Sequence, residues 1–325
     1  TKQIEILPKR FEKTYFHWIE NLRDWCISRQ IWFGHQIPVW YKGEETKTGL
    51  EAPKGQGWKQ DPDTLDTWFS SGLWTFSTLD WPKKTADLST YHPTSVLETG
   101  YDILFPWVAR MILMSTYLVG EIPFRTVYLH GLVRDEKGKK MSKSLGNVID
   151  PLVMIEKYGA DATRLSLIIG AAPGNDLKLA EDRVKGYRNF ANKLWNIARF
   201  VQMNTSDYKG KGKLKLSAKD KKILSDFEKI KKQVTKLIEE YRLSQAAETL
   251  YHYTWHTFAD KVLEDSKKVL GSKETRKARQ HVLLTILKEL LRLLHPFTPF
   301  VTEELYQQLF LKDKKEMLMI AKWPS

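Results

Sequence analysis

The chain has 325 residues, of which 42% are hydrophobic and 12% aromatic, so it can bury a sizeable core and is long enough for two domains. This composition excludes a disordered chain. Lys and Arg total 52 against 39 Asp and Glu, a formal net charge of +13, and such an excess favours a polyanionic partner, either nucleic acid or an acidic membrane surface.

Cysteine content and hydropathy narrow the class of protein further. The single cysteine, Cys26, excludes a disulfide framework and a cysteine-based zinc site. No apolar run approaches membrane-spanning length, and the first residues have no signal-peptide pattern. We therefore expect a cytoplasmic protein without a membrane partner. Because the first residue is Thr rather than Met, we expect a piece of a longer chain.

The opening of the chain, through Phe11, predicts a short strand or a connector. An amphipathic helix follows, whose apolar residues recur at helical spacing and which ends near residues 21–24. The Gly/Lys-rich segment 43–57 predicts a hairpin or exposed loop. Asp61, Asp63 and Asp66 lie close enough in sequence to suggest a metal site. Their spacing lacks the calcium-loop pattern, so we favour turn and N-cap roles.

A strand, a glycine turn, a helix and a second strand follow between residues 94 and 130. This is the unit from which parallel α/β sheets are built, and ligands collect at the carboxyl ends of its strands. Gly100 lets the backbone approach a ligand, and the carboxylate of Asp102 is placed to bind ribose hydroxyls. The second strand delivers His130 and Gly131 to the same edge of the sheet.

The next segment is Lys140-Met141-Ser142-Lys143-Ser144, flanked by glycines. Two ammonium groups, hydroxyls and backbone N–H groups on one flexible loop suit a polyphosphate. A solvated basic turn is the alternative interpretation of the residue types alone.

The remainder of the chain predicts helices. Asp150-Pro151 begins one, Gly159 precedes another, and Pro173-Gly174 marks our predicted domain boundary, giving domains 1–175 and 176–325. A helix over 181–201 and a Lys/Gly linker over 206–217 lead into an antiparallel helix bundle. The excess of Lys between residues 209 and 236 is what contact with RNA requires, whereas a solvated face is the simpler interpretation.

The lysine-rich string resembles the signature loop of the class I aminoacyl-tRNA synthetases. The resemblance implies that Lys140 and Lys143 engage the ATP phosphates, with Lys143 stabilising the departing pyrophosphate. It also implies an ATP site, and the residues concerned are Gly100, Asp102, His130, Gly131, Lys140, Met141, Ser142, Lys143 and Ser144.

Within that class, residues 100–111 resemble the valine enzymes, because the isoleucine enzymes show a Gln-His pair just after the aspartate. The strings 24–38, 66–71 and 186–196 add to this resemblance. It implies a pocket for the valine side chain formed by Trp68, Ile103 and Trp107, for which core packing is the alternative.

The implied fold is α/β, the second half of a Rossmann-type parallel sheet, followed by an all-α bundle that binds the anticodon. The implied partners are valine, ATP with Mg²⁺, and tRNA(Val), with no protein-bound zinc. The His-x-Gly-His motif of the family does not occur in the sequence, and there is no room for the editing insertion. We therefore expect the N-terminal half of the same polypeptide as a missing partner and an inactive isolated chain. A non-catalytic tRNA-binding module and an isoleucine-type enzyme are the alternatives.

Overall fold

A computed structural model describes residues 3–210, 214–311 and 317–324. The chain divides into two compact units, which meet in sequence between Gly131 and Leu132. The predicted boundary after residue 175 lies within the second unit, and as a division by function it stays a prediction. None of the helices in the described ranges is long and apolar enough to cross a membrane.

The first unit contains a parallel sheet, small antiparallel ribbons and five α-helices within the described residues. Its strands are β1 (Glu5–Leu7), β2 (Ser28–Arg29), β3 (Val39–Lys42), β4 (Glu45–Thr48), β5 (Lys59–Gln60), β6 (Thr64–Leu65), β7 (Thr94–Gly100) and β8 (Phe124–His130). Its helices are α1 (Arg10–Glu20), α2 (Thr67–Gly72), α3 (Trp74–Ser77), α4 (Ala86–Tyr91) and α5 (Arg110–Leu118).

The parallel sheet has the strand order β1-β8-β7. Strands β7 and β8 pair in parallel from Thr94 opposite Phe124 to Gly100 opposite His130, and β1 pairs in parallel on the other side of β8. Side chains of all three strands join α5 in a buried core that includes Val127 and Leu129, both 0% exposed. The predicted β-α-β unit is confirmed, and its two strand ends lie side by side.

The segment between β7 and α5 departs from the continuous helix that the apolar run predicts. A 3₁₀ turn (Tyr101–Ile103) leads into a π-helical turn (Leu104–Ala109) before α5 begins. Pro106, which has no N–H to donate, lies within the π-helical turn. The regular α-helix therefore begins only after the proline, at Arg110.

Most of the second unit is helical. Its strands are β9 (Val133–Arg134) and β10 (Leu177–Lys178), and its helices are α6 (Pro151–Tyr158), α7 (Ala160–Ile168), α8 (Glu181–Thr205), α9 (Ala218–Glu239), α10 (Leu243–His252), α11 (Glu264–Val269), α12 (Lys273–Leu294) and α13 (Pro299–Phe310). A π-helical segment, Tyr253–Leu263, joins α10 to α11, and short 3₁₀ turns lie at Lys143–Leu145 and Leu318–Ile320. The predicted helical bundle is confirmed. The predicted linker 206–217 lies partly outside the described residues, at 211–213.

The core of the bundle is made by the apolar faces of α8, α9, α10 and α12, and five leucines of α12 are 0% exposed: Leu283, Leu287, Leu290, Leu291 and Leu293. Asp161, in the first turn of α7, is buried and accepts hydrogen bonds from the backbone N–H groups of Phe300 (3.2 Å) and Val301 (2.7 Å). This acid of α7 thus caps α13, whose first N–H groups have no partner within their own helix.

Candidate active site

At the carboxyl ends of β7 and β8, one acid and one imidazole meet at a glycine. A Cβ atom on Gly100 would lie 2.5 Å from Asp102 Oδ1 and 3.5 Å from His130 Cε1. The φ of Gly100 is −64°, so the glycine is required by close approach and not by backbone conformation. Without a side chain at this position, the carboxylate and the imidazole share one end of the sheet.

His130 contacts oxygen atoms on both sides of its ring. Nδ1 lies 2.7 Å from the carbonyl oxygen of Gly131, and Nε2 lies 3.3 Å from Glu98 Oε1. The side chains of His130 and Glu98 are 47% and 61% exposed, so this edge of the sheet is open to solvent. Sequence reasoning assigned no role to Glu98. Glu98 could have been found from its position two residues before Gly100, because residues two apart lie on the same face of a strand.

The lysine-rich loop in the second unit is held by two polar residues that sequence reasoning did not single out. The buried carboxylate of Asp135 accepts hydrogen bonds from Asn147 Nδ2 (2.8 Å) and from the backbone N–H of Lys139 (2.7 Å). These hydrogen bonds, that of Asn147 first, lower the pKa of Asp135. Asn147 also accepts from the N–H of Ser142 (3.0 Å) and donates to the carbonyl of Lys140 (3.2 Å). The loop is therefore closed at its base by one amide side chain.

Within the loop, the five predicted residues have different surroundings. Met141 packs against a buried cluster that includes Met154 and Val184, whereas the hydroxyls of Ser142 and Ser144 lie 3.1 Å apart. Lys140 and Lys143 are exposed. Neither ammonium group has an ion-pair partner among the residues that the structure describes. The loop thus presents two free cations on a backbone that is fixed at its base.

The structure places the predicted ATP-site residues in two sets. Gly100, Asp102, His130 and Gly131 belong to the first unit, and residues 140–144 belong to the second. Within each set the residues lie close together. That the two sets bind one nucleotide stays a prediction.

Of the three predicted pocket residues, Trp107 has the best-defined surroundings. Its indole N–H donates to the carbonyl of Ser71 (3.0 Å), and its ring lies 5.8 Å from that of Trp74. Trp68 lies in the first turn of α2 and its N–H donates to Asp66 (2.7 Å), so the predicted N-cap role of Asp66 is confirmed. Ile103 ends the 3₁₀ turn before the π-helical turn that carries Trp107. Their role as a valine pocket stays a prediction.

A cation that the sequence analysis missed supports the π-helical turn. The guanidinium of Arg110 donates to the carbonyls of Phe105 (3.3 Å) and Pro106 (2.9 Å), and it lies 3.9 Å from the centre of the Trp25 ring. Burial lowers the pKa of Arg110. A cavity of about 230 Å³ lies beside the same turn and is lined by Asp102, Phe105 and aromatic residues of α1.

The acids at residues 61–66 have the structural roles that we favoured. The carboxylate of Asp61 accepts a hydrogen bond from the N–H of Asp63 (2.9 Å). Asp66 also accepts from the guanidinium of Arg29 (2.6 Å). Among the described residues, no group of three or more His, Cys, Asp or Glu side chains is placed to hold a metal ion.

Comparison with known proteins identifies the family. Residues 1–52 and 44–180 match the family model described as tRNA synthetases class I (I, L, M and V), and residues 220–325 match the model described as anticodon-binding domain of tRNA ligase. The chain belongs to the class I tRNA synthetases. The predicted family is therefore confirmed.

Curated proteins that are similar to this chain include valine–tRNA ligases. The chain is 50% identical to the valine–tRNA ligase of Pseudothermotoga lettingae and 47% identical to that of Bacillus subtilis, over 100% of the chain and 38% of each relative. The valine–tRNA ligase of Clostridium tetani is 49% identical, over 99% of the chain and 38% of the relative. The chain thus spans well under half the length of these relatives.

Solved structures of class I synthetases show the same fold. An Agrobacterium radiobacter K84 agnB2 LeuRS, in a ternary complex with tRNA and LeuAMS, has a TM-score of 0.74 at 21% identity over 97% of this chain and 46% of its own. Mycobacterium tuberculosis methionyl-tRNA synthetase, in complex with methionyl-adenylate, has a TM-score of 0.73 at 20% identity over 93% of this chain and 58% of its own. The predicted fold class is confirmed.

Proposed function

We propose that this class I synthetase chain is part of a valine–tRNA ligase and that, in the whole protein, it serves the formation of valyl-adenylate and the transfer of valine to tRNA(Val). The observation that carries the proposal is that Asp102 and His130 both lie beside Gly100, since an acid beyond a glycine at the end of a parallel strand suits the hydroxyls of a ribose. The similarity to valine–tRNA ligases over the whole chain supports the choice of amino acid.

In the proposed first step, a carboxylate oxygen of valine attacks the α-phosphorus of ATP, and the bond from that phosphorus to the bridging oxygen of pyrophosphate breaks. No protein nucleophile takes part, so the chain contributes by positioning and by neutralising charge. Asp102 accepts hydrogen bonds from the ribose, and His130 lies against the adenosine. Lys143 meets the charge that grows on the leaving pyrophosphate, with Lys140 on the other phosphate oxygens.

Magnesium enters the proposed reaction together with the nucleotide. We propose that Mg²⁺ arrives on the ATP phosphates, an arrangement that suits its preference for phosphate and water ligands. In the second step the valyl group passes from the adenylate to a hydroxyl at the tRNA 3′ end, and AMP leaves. The helical unit holds the tRNA.

The test is Lys143→Ala in the full-length polypeptide, compared with Lys137→Ala, which removes an exposed lysine outside the signature string. We expect valine-dependent pyrophosphate exchange to fall at least about a hundredfold in Lys143→Ala, because a cation facing transition-state charge is lost. Affinity for tRNA(Val) should change less than about twofold, and Lys137→Ala should resemble the wild type. Equal exchange rates in the two variants would contradict the proposal and favour an RNA-binding module.

A further inference from the structure

A cleft of about 310 Å³ lies beside α8 in the second unit, outside the proposed ATP and valine sites. Its walls are formed by Arg183, Gly186 and Tyr187 of α8, by Glu248, Tyr251 and His252 of α10, and by Ile169. These elements belong to one compact unit. Arg183 donates to the carbonyl of Ile169, and Glu248 lies 3.9 Å from His252 Nε2. The cleft therefore combines aromatic rings and bare backbone with a cation and an acid that can accept a hydrogen bond.

Gly186 is the unusual residue of this cleft. It lies inside the 25-residue helix α8, where glycine is less favourable than alanine because of its backbone freedom. A Cβ atom on Gly186 would have no atom of the described chain within 4 Å, apart from the local helix backbone. Packing within the described residues therefore does not require a glycine here. What the glycine provides is a stretch of helix backbone that another molecule can approach closely.

The walls around Gly186 have the chemistry that stacks a nucleobase. The guanidinium carbon of Arg183 lies 6.0 Å from the centre of the Tyr187 ring, and the Tyr187 and Tyr251 rings lie 6.0 Å apart, edge to face. The side chain of His252 is 59% exposed at the rim. Unpaired RNA bases stack on aromatic rings and guanidinium planes and offer their edges to polar groups.

The surface of α8 favours a polyanion over an acidic or neutral protein segment. Lys185, Arg188 and Arg199 follow Arg183 along the helix, against the acids Glu181 and Asp182 in its first turn, whereas Lys193 of the same helix is paired with Asp260 (3.2 Å). Glu181 is already engaged by Lys157 (3.0 Å) and by the hydroxyl of Tyr158 (2.7 Å). Excess positive charge along one helix attracts the phosphates that flank an exposed base.

We propose that this cleft binds one unpaired nucleotide of the tRNA, with the base between Tyr187 and His252 and its ribose against the backbone at Gly186. The proposal rests on the proposed function, because it assumes that the helical unit holds tRNA. It assigns a specific contact within that surface.

The experiment is Gly186→Ala in the chain, with thermal unfolding and binding of a fluorescent tRNA(Val) transcript measured on the same protein. If a ribose occupies the space that the methyl group fills, the dissociation constant rises about 3- to 10-fold. The melting temperature rises at the same time, by about 1–3 °C, because alanine is the better helix former. The slope of binding against salt stays unchanged, since no phosphate contact is lost.

Two further variants separate this site from general effects. Ser225→Ala, at an exposed position of α9, also improves helix propensity and should leave the affinity unchanged. His252→Ala should weaken binding by at least about threefold without lowering the melting temperature, because its side chain lies at the rim of the cleft.

Each result decides between defined conclusions. If both Gly186→Ala and His252→Ala bind tRNA with wild-type affinity, the nucleotide site in the cleft is refuted while the proposed function is unaffected. A lower melting temperature for Gly186→Ala would overturn the premise that the glycine is free of packing. Absence of tRNA binding by the wild-type chain would overturn the nucleotide site, whereas the proposed function, which concerns the whole protein, is decided by the Lys143→Ala test.

Discussion

The stability of the helical unit depends on an ion cluster inside it, and this can be tested by removing Arg279. The side chain of Arg279 is 1% exposed and donates to Asp220 (2.7 Å, from Nε), to Asp265 (2.8 Å) and to the hydroxyl of Ser266 (3.0 Å). It thereby ties α12 to the start of α9 and to α11.

The substitution Arg279→Met keeps the length of the side chain and removes its charge. Asp220, 2% exposed, is then left as a buried carboxylate without a cation, although Ser217 still donates to it. Asp265 keeps Lys219 at 2.5 Å. Removing one partner of a buried pair costs about 3–5 kcal/mol, so we expect the transition of the helical unit to fall by about 6–20 °C.

The second substitution, Asp220→Asn, tests whether the loss comes from the stranded charge. Alone it leaves Arg279 paired with Asp265, so its cost should be smaller than that of Arg279→Met. In the double variant the buried charge is gone, and we expect at least about 2 kcal/mol of stability to be recovered relative to Arg279→Met. Guanidinium unfolding followed by circular dichroism measures all four proteins. A loss below about 1 kcal/mol for Arg279→Met, or no recovery in the double variant, would refute the reasoning.

Two further predictions concern single side chains. The hydrogen bonds from Arg276 lower the pKa of Asp207 from 3.8 to about 2, so its contribution to stability is present above about pH 4 and is lost as the pH falls towards 2; Asp207→Asn should flatten the thermal stability profile in that window, and an unchanged profile would argue against the pairing. Gly100→Ala should raise the KM for ATP in pyrophosphate exchange at least about tenfold in the full-length polypeptide, because the methyl group displaces the Asp102 carboxylate, while the melting temperature stays within about 2 °C; an unchanged KM would separate Asp102 from ribose binding.

The parts of the fold that sequence patterns predicted are those fixed by local rules. The spacing of apolar residues and the turn residues suffice to predict the β7-α5-β8 unit. Asp66 and Asp150 act as N-caps because their short side chains accept hydrogen bonds from backbone N–H groups in the first turn of the helix. The strand order was not accessible in this way. β1 pairs with β8 across more than a hundred residues, and nothing in the composition of so short a strand specifies its neighbour.

Charge patterns predict a class of partner but do not predict which charges are free. The lysine excess on α9 predicts an RNA surface, yet Lys231 is 5% exposed in its side chain and bridges Glu228 (2.9 Å) and Glu289 (3.0 Å). That lysine belongs to the interior of the bundle. Asp161 is a similar case, since its partners lie about 140 residues later in the sequence. The partners of such residues lie far away in the sequence, so a local sequence pattern cannot predict them.

The lysine-rich loop contains two kinds of residue: those that hold the loop in place and those whose side chains are available to a ligand. Asp135, Asn147 and Met141 have their polar atoms or apolar surface satisfied within the second unit. Lys140 and Lys143, on the same backbone, carry charges that no described residue neutralises. Two like charges held near each other without counter-ions are unfavourable unless solvent or a ligand screens them. We propose that a polyphosphate supplies that screening, and because the loop is closed at its base by Asn147, we expect binding to order side chains with little rearrangement of the backbone.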